Sequence, residues 1–401
     1  MSIVSPAGLA YLRVMVLVYV ATFFFGAALV LGTLASAVRA MVVPRGLPSF
    51  IARAVFEVLR GLLRPLMGGR DGDYARRDRV MAAYAPVGLL VLPLVWLILV
   101  LAGYTCMYWS LGARPWRDAF TLSGSSLLTL GFASAKSLPT LALAFTEAAT
   151  GIGLLALLIS YLPTLYATFN RRELAVALLE VRADSPPSGA NLIRRYHRIG
   201  WDGGLTQVWK DWETWFADLE ETHTSLAALA FFRSPQPDRS WVTAAGAVLD
   251  GAALRTSTVD GPRDPEADLC LRAGYLALRH IATFYDIPHD SDPPPDGPIS
   301  VTREEYEEVC RELEEAGVPL KADRDQAWRD FAGWRVNYDT VLIGLAALTM
   351  APSALWSSDR DASFRRPPLL PRRGRKPRES TDGEDRSVDG LPTPTDGGGR
   401  D

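Results

Sequence analysis

The stretch Asp118–Ala133, DAFTLSGSSLLTLGFA, lies between two apolar runs of membrane-crossing length, and its reading decides the fold. Upstream is Ala85–Tyr108, with VGLLVLPLVWLILVLAGYTCMY as its core; downstream is Pro139–Phe169. Roughly 20 apolar residues cross the hydrocarbon of a bilayer, so each run is a span. Pro93 is tolerated within the second as a local kink. The downstream run is long enough to cross while tilted or to project beyond the membrane. A further run, Tyr11–Ala37, precedes both. It is too long for the apolar part of a removable signal and has no small-residue cleavage site after a short apolar region, so it too is a span. The stretch between the last two spans is expected to dip partway into the bilayer and return.

Orientation follows from arginine. The connection Val38–Tyr84 carries Arg39, Arg45, Arg53, Arg60, Arg64, Arg70, Arg76, Arg77 and Arg79 against four acids. The positive-inside rule makes that loop cytoplasmic. The N-terminus and the Trp109–Leu138 region then face out, and the third span returns inward to end at Arg171-Arg172. Within the loop, SFIARAVFEVLRGLLR (Ser49–Arg64) sets Ile51, Val55, Val58 and Leu62 on one face, with Arg53, Arg60 and Arg64 on the other. Such a helix suits the headgroup plane, or covers the cytoplasmic domain.

Composition divides the 401 residues into two regimes: the first 170 are rich in Leu, Val, Ala, Phe and Tyr, and the remainder is acidic and soluble in character. The net charge of −3 therefore says little about partners. Arginine outweighs lysine without any basic patch interleaved with aromatics, which argues against a nucleic-acid surface. Cys106, Cys270 and Cys310 are far apart and form neither a CxxC pair nor a disulfide framework.

Beyond Glu173 the periodicity is helical throughout. Pro186-Pro187-Ser188-Gly189 is a linker. Leu205–Phe232 carries Leu205, Val208, Trp212, Trp215, Leu219, Leu226 and Leu229 at helical spacing. Ser240–Leu254 is a shorter helix. Asp264-Pro265 is an N-cap followed by proline in the first turn, opening a helix to about Tyr285. Thr302 and Glu305 make a capping box for a helix ending at Gly317. Asp323 caps a last helix through Trp328, Trp334 and Tyr338 to about Met350. Its apolar run Val341–Ala351 is too short to span and is read as a buried core helix. From Ser357 on the composition is that of a disordered tail, with Arg365, Arg366, Arg372, Arg373, Arg375, Lys376 and Arg378 available to anionic lipid. The expected fold is an all-α membrane protein with three transmembrane helices, a re-entrant helix and loop, and an all-α cytoplasmic domain. Its parts are an N-terminal span (1–37), a basic amphipathic linker (38–84), a two-helix unit (85–173), a cytoplasmic helical domain (190–355) and a tail (357–401).

The order of span, short helix, Thr129-Leu130-Gly131-Phe132, span and basic residues resembles the two-helix pore domain of potassium channels, over about Ala85–Glu173. The resemblance implies that Arg117–Leu128 is the pore helix, whose carbonyl end favours a cation through its partial negative charge. It makes Thr129, Leu130, Gly131, Phe132 and Ala133 the ion-conduction filter, where main-chain carbonyls replace an ion's water. Gly131 suits the backbone path this needs. Leu128 stands where the family has a second Thr or Ser, Ala133 where it has glycine, and Ser134 where it has an acid. A left-handed Ala133 would cost on the order of 1 kcal/mol in each subunit, implying a filter that is wider, less selective or collapsed. Glu147 and Ser126 are read as filter support, and Gly153 and Pro163 as gating hinges. One such segment supplies a quarter of a filter, so the resemblance implies a homotetramer. Small residues including Gly151 and Gly153 would let inner helices approach closely.

Elsewhere His197, His223, His280 and His289 form no metal-ligand pair, and Asp286, His289, Asp290 and Asp292 read as a proline-flanked loop. No nucleophile elbow, P-loop or GxGxxG is present. The sequence therefore points to no enzyme, cofactor or metal. The expected function is passive monovalent cation conduction, with potassium as the leading ion, in a plasma-membrane protein whose partners are the ion, the bilayer and copies of itself. The alternative is a non-conducting scaffold or sensor that keeps the pore-like fold and binds a partner through its cytoplasmic domain.

Overall fold

Three helices are long and apolar enough to cross a membrane, and they organise the chain. In the computed structural model, which describes residues 6–43, 50–63, 65 and 74–360, the order is α1 (Pro6–Met41), α2 (Phe50–Leu63), α3 (Tyr74–Ser110), α4 (Trp116–Leu127) and α5 (Leu138–Ala183). A body of seven further helices follows: α6 (Gly189–Arg198), α7 (Leu205–Ser225), α8 (Trp241–Ser257), α9 (Pro265–Phe284), α10 (Arg303–Glu315), α11 (Arg324–Arg335) and α12 (Asp339–Thr349). Among the described residues the only β pairing is one isolated bridge, Val259 with Leu320. The all-helical expectation and the three apolar helices stand. The expected tail from 361 onward lies outside the described residues, as do Arg45, Arg64 and Arg70 of the basic connection.

α1 and α3 pack along their length. Trp96 Nε1 on α3 donates to Ser36 Oγ on α1 across 3.0 Å, both groups buried. Such a bond between apolar helices contributes about 0.6–2 kcal/mol and fixes their register. At the opposite end of the pair, Tyr19, Trp109 and Trp116 cluster. The Trp109 and Trp116 rings stack at 4.6 Å, and the Arg114 guanidinium lies 4.0 Å from the centre of the Tyr19 ring. α2 forms where the sequence places it. It seats Phe56 against α3, beside Gly88 and the Tyr84 ring, leaving Phe50, Val58 and Leu62 exposed.

α5 starts at a capping box: the Ser137 N–H donates to Thr140 Oγ1, and the Thr140 N–H donates back to Ser137 Oγ. It then runs 46 residues without interruption through Gly153 and Pro163. At 1.5 Å per residue that is about 69 Å, more than twice the roughly 30 Å hydrocarbon thickness. The helix thus continues past Phe169–Glu173, where the span is expected to end. Arg172 is buried rather than terminal, and its pairing with the helical body, described below, carries the helix on to Ala183. α3 likewise begins at Tyr74, before the expected Ala85.

Within the body, α8 is buried on nearly every face, with α6, α9, α11, α12 and α5 around it. The caps at Asp264, Thr302 and Asp323 are as read, each side chain accepting a main-chain N–H of the first turn. Three boundaries differ. The expected helix Leu205–Phe232 leaves helical space at Leu226 (φ −115°, ψ 73°) and continues as a 3₁₀ turn, Ala227–Phe231. The expected last helix divides into α11 and α12. Asn337 Nδ2 donates to the carbonyls of Gly333 and Trp334 at 2.9 and 3.2 Å, taking up main-chain acceptors that a continuing helix would use. Arg335, fully buried, then ties the two helices together through Asp339 (2.8 Å) and Asp250 (2.5 Å). The tail also begins later than Ser357, because Ser357 is buried and Asp359 accepts the N–H groups of Trp356 and Ser357.

Two glycines of α5 separate packing from freedom. A Cβ on Gly151 would lie 2.2 Å from the Leu127 carbonyl oxygen, at the end of α4, whereas one on Gly153 would meet nothing within 4 Å. Gly151→Ala is expected to lower the melting temperature of the purified chain in detergent, at an overpacking cost of about 1–3 kcal/mol. Gly153→Ala is expected to leave it unchanged or raise it, since alanine favours a helix over glycine by about 1 kcal/mol.

Candidate functional site

α4 is a twelve-residue helix resting on α3 and α5, with Ala119, Leu122, Ser123 and Leu127 on its buried face. It ends at Leu128, and the chain then crosses to α5 through Thr129–Ser137. The turn is held by its amides. Thr129 N–H donates to the Ser126 carbonyl at 3.1 Å. The N–H groups of Leu130 and Gly131 both reach the Ser125 carbonyl, at 2.8 and 3.4 Å, and Ala133 N–H donates to Ser125 Oγ at 3.0 Å. Thr129 and Gly131 take positive φ, 56° and 72°. With the amides turned back onto α4, the carbonyls of Thr129, Leu130, Gly131 and Phe132 accept no hydrogen bond from any described residue. Leu128, Leu130 and Phe132 are exposed in the single chain.

These angles correct one expectation. Ala133 is not left-handed; the strain falls on Thr129, where a β-branched residue holds a positive φ. Anchoring of its N–H to Ser125 Oγ lets Ala133 serve without glycine's freedom. Ser126 contributes its carbonyl, while the side-chain support comes from Ser125.

Glu147 is buried where α3, α4 and α5 meet. Its Oε2 lies 2.8 Å from Tyr108 Oη of α3, and its Oε1 lies 2.5 Å from Ser123 Oγ of α4. Ser123 Oγ is also 3.1 Å from the Leu101 carbonyl. Ser123 Oγ thus faces two acceptors, the Glu147 carboxyl and the Leu101 carbonyl. Beside this triad Tyr104 Oη donates to Thr146 Oγ1 at 3.1 Å. Glu147 thus holds the body of the short helix rather than the loop after it. Gly153 and Pro163 lie on α5 nearly two and more than four turns further along.

The sequence reading passed over Tyr108, Ser123 and Ser125. The signal was present: Ser123-Gly124-Ser125-Ser126 is a polar run in an apolar setting, and a carboxyl in a span requires donors. Gly151 was read as a contact between inner helices, yet within one chain it admits the end of α4.

Among the described residues no group of three or more His, Cys, Asp or Glu side chains gathers as a metal site. His289 Nδ1 is 2.9 Å from the Ile287 carbonyl, and Asp290 accepts the Asp292 N–H, both closing their own loop. His223 is fully buried. Its Nδ1 donates to the Leu219 carbonyl at 2.9 Å, so the bare Nε2 accepts from Arg172 Nη1 at 3.2 Å. Burial, and then the Arg172 charge, push its pKa well below 6.5. A scan of protein-family models and searches of curated proteins and of solved structures found no match to this chain.

Two predictions follow from these environments. Glu147→Gln, which keeps an acceptor and a donor, is expected to leave the melting temperature within a few degrees of the parent. Glu147→Ala takes the carboxyl partner from the buried Tyr108 hydroxyl and leaves Ser123 only the Leu101 carbonyl, at about 1–3 kcal/mol, and is expected to lower it clearly. The second prediction concerns acid. Unfolded His223 binds a proton near pH 6.5 and the folded form resists it, so its contribution to stability is complete above that pH and is lost as pH falls below it. The loss approaches about 1.4 kcal/mol per pH unit. Denaturant melts between pH 7.5 and 5.5 should show His223→Gln losing less stability than the parent over that window.

Proposed function

We propose that this chain is one subunit of a homotetrameric pore passing monovalent cations, with potassium as the leading ion, across the plasma membrane. The observation carrying the reading is the set of unpaired carbonyls at Thr129–Phe132 beside amides already committed to α4. Oxygens with no internal partner are free to replace part of an ion's hydration, and an apolar environment would not tolerate them without some partner. The short helix α4 ends beside them, so its partial negative charge adds to their attraction for a cation. The stacked Trp109 and Trp116 suit a membrane–water interface. In this reading α4 and its loop are re-entrant from the outer face, α1, α3 and α5 span, and α6–α12 lie in the cytoplasm beside the arginine-rich connection. The exposed Leu130 and Phe132 side chains would be covered by neighbouring subunits. Gly153 and Pro163 are the positions at which α5 would bend in gating.

One observation favours a second reading, a sensor or scaffold that does not conduct. α5 continues well past any bilayer and is buried along one side against a large helical body, an arrangement that would serve partner binding equally well.

Reconstitution into liposomes tests the proposal. Potassium, rubidium and sodium fluxes are expected above those of empty vesicles, and Gly131→Val, which forbids the left-handed angle at that position, is expected to abolish them. Chemical cross-linking should trap four copies. A stable monomer in detergent and in bilayers would overturn the pore, since one loop cannot enclose an axis.

A further inference from the structure

The segment Leu226–Ser234 holds a 3₁₀ turn, Ala227–Phe231, and is gripped from α3, α5, α8 and the ends of α9 and α12. Its 3₁₀ turn leaves several carbonyls to outside donors. Arg172 of α5 donates from Nη1 to the Leu229 carbonyl at 2.9 Å and from Nη2 to the Phe232 carbonyl at 2.7 Å. Tyr285 Oη at the end of α9 donates to the Ala227 carbonyl at 2.6 Å, and Trp241 Nε1 of α8 donates to the Ala230 carbonyl at 3.1 Å. From the other side Arg233 Nε reaches Asp78 of α3 at 2.5 Å. Its Nη1 and Nη2 donate to the carbonyls of Thr349 and Met350, at the end of α12, at 2.9 and 2.8 Å. Aromatic contacts follow the same lines: Phe231 meets Tyr84 of α3 and Tyr285, and Phe232 meets Tyr166 and Phe169 of α5.

We propose that residues 226–234 are a coupling joint, through which the helical body and the body-side ends of α3 and α5 hold one another's conformation. A 3₁₀ turn has poor internal hydrogen-bond geometry, so donors from outside fix its shape. Those donors sit on α5, on α8 and at the end of α9, while on α3 Asp78 accepts from Arg233 of the segment; α3 and α5 are the two long helices that flank α4. A ligand or partner that displaces the body shifts the turn, and the turn shifts the end of each long helix. The reverse holds equally, since coupling between two sites is reciprocal. Arg172 is the main contact on the α5 side. It is fully buried, its carboxylate partner Glu173 neighbours it at 2.8 Å, and His223 accepts from it without competing for charge. This inference goes beyond ion passage and does not require it.

Hydrogen exchange of the full chain in nanodiscs, read peptide by peptide, tests the joint without any measurement of flux. Arg172→Lys keeps the charge and loses the two-pronged hold on Leu229 and Phe232. Main-chain exchange is expected to rise about tenfold or more in 226–234, the scale of a lost charge-assisted bond, and also in 78–84 of α3, which Arg172 does not touch. Asp78→Asn, a milder change on the opposite side, is expected to raise exchange in 226–234 and in 170–176 of α5. Faster exchange confined to the mutated helix in both variants would overturn the joint and leave Arg172 and Asp78 as local packing groups.

Discussion

A helix that stops against two longer helices leaves amides and carbonyls without intrahelical partners, and the contacts around α4 answer that constraint. The amides of Thr129, Leu130, Gly131 and Ala133 return to Ser125 and Ser126. Gly151 lets the last carbonyl of α4 approach α5. Glu147, with Tyr108 and Ser123, pins the helix to both of its long neighbours. What remains unsatisfied is a short row of carbonyls, and the functional reading rests on them.

Much of this order is written in local patterns. The runs Tyr11–Ala37, Ala85–Tyr108 and Pro139–Phe169 announce three long apolar helices because length and composition alone set them. The caps at Asp264, Thr302 and Asp323 are legible because each is a local bond between a side chain and its own first turn. Val341–Ala351 reads as core because an eleven-residue apolar run is too short for a bilayer. The misses come from side-chain partners, some distant in sequence and some near, that overrule the local pattern. α5 passes Phe169 because Arg172 finds acceptors on a segment some 60 residues away in sequence, at Leu229 and Phe232. The last helix breaks at Asn337 because a side chain takes its carbonyls. Ala133 escapes strain through Ser125, eight residues earlier. No periodicity encodes any of these.

Inside the helical body, charge is buried only in company. Arg335 lies between Asp250 and Asp339, with the Tyr338 hydroxyl donating to Asp250 at 2.8 Å. Burial works against the charged form of Arg335, but the two carboxylates outweigh it and raise its pKa. Removing one member of such a group typically costs about 3–5 kcal/mol. The cluster joins α8, α11 and α12 through buried ion pairs.

The length of α5 has a mechanical side. Twenty residues separate Pro163 from Ala183 on one continuous helix, an arm of about 30 Å at the standard rise. Proline at its root removes one rung of the hydrogen-bond ladder and so makes bending there easier than elsewhere. A deflection of about 10° at that point would sweep the far tip by roughly 5 Å. The geometry is that of a lever, in which a slight flexure at one position becomes a displacement the width of a side chain at the other.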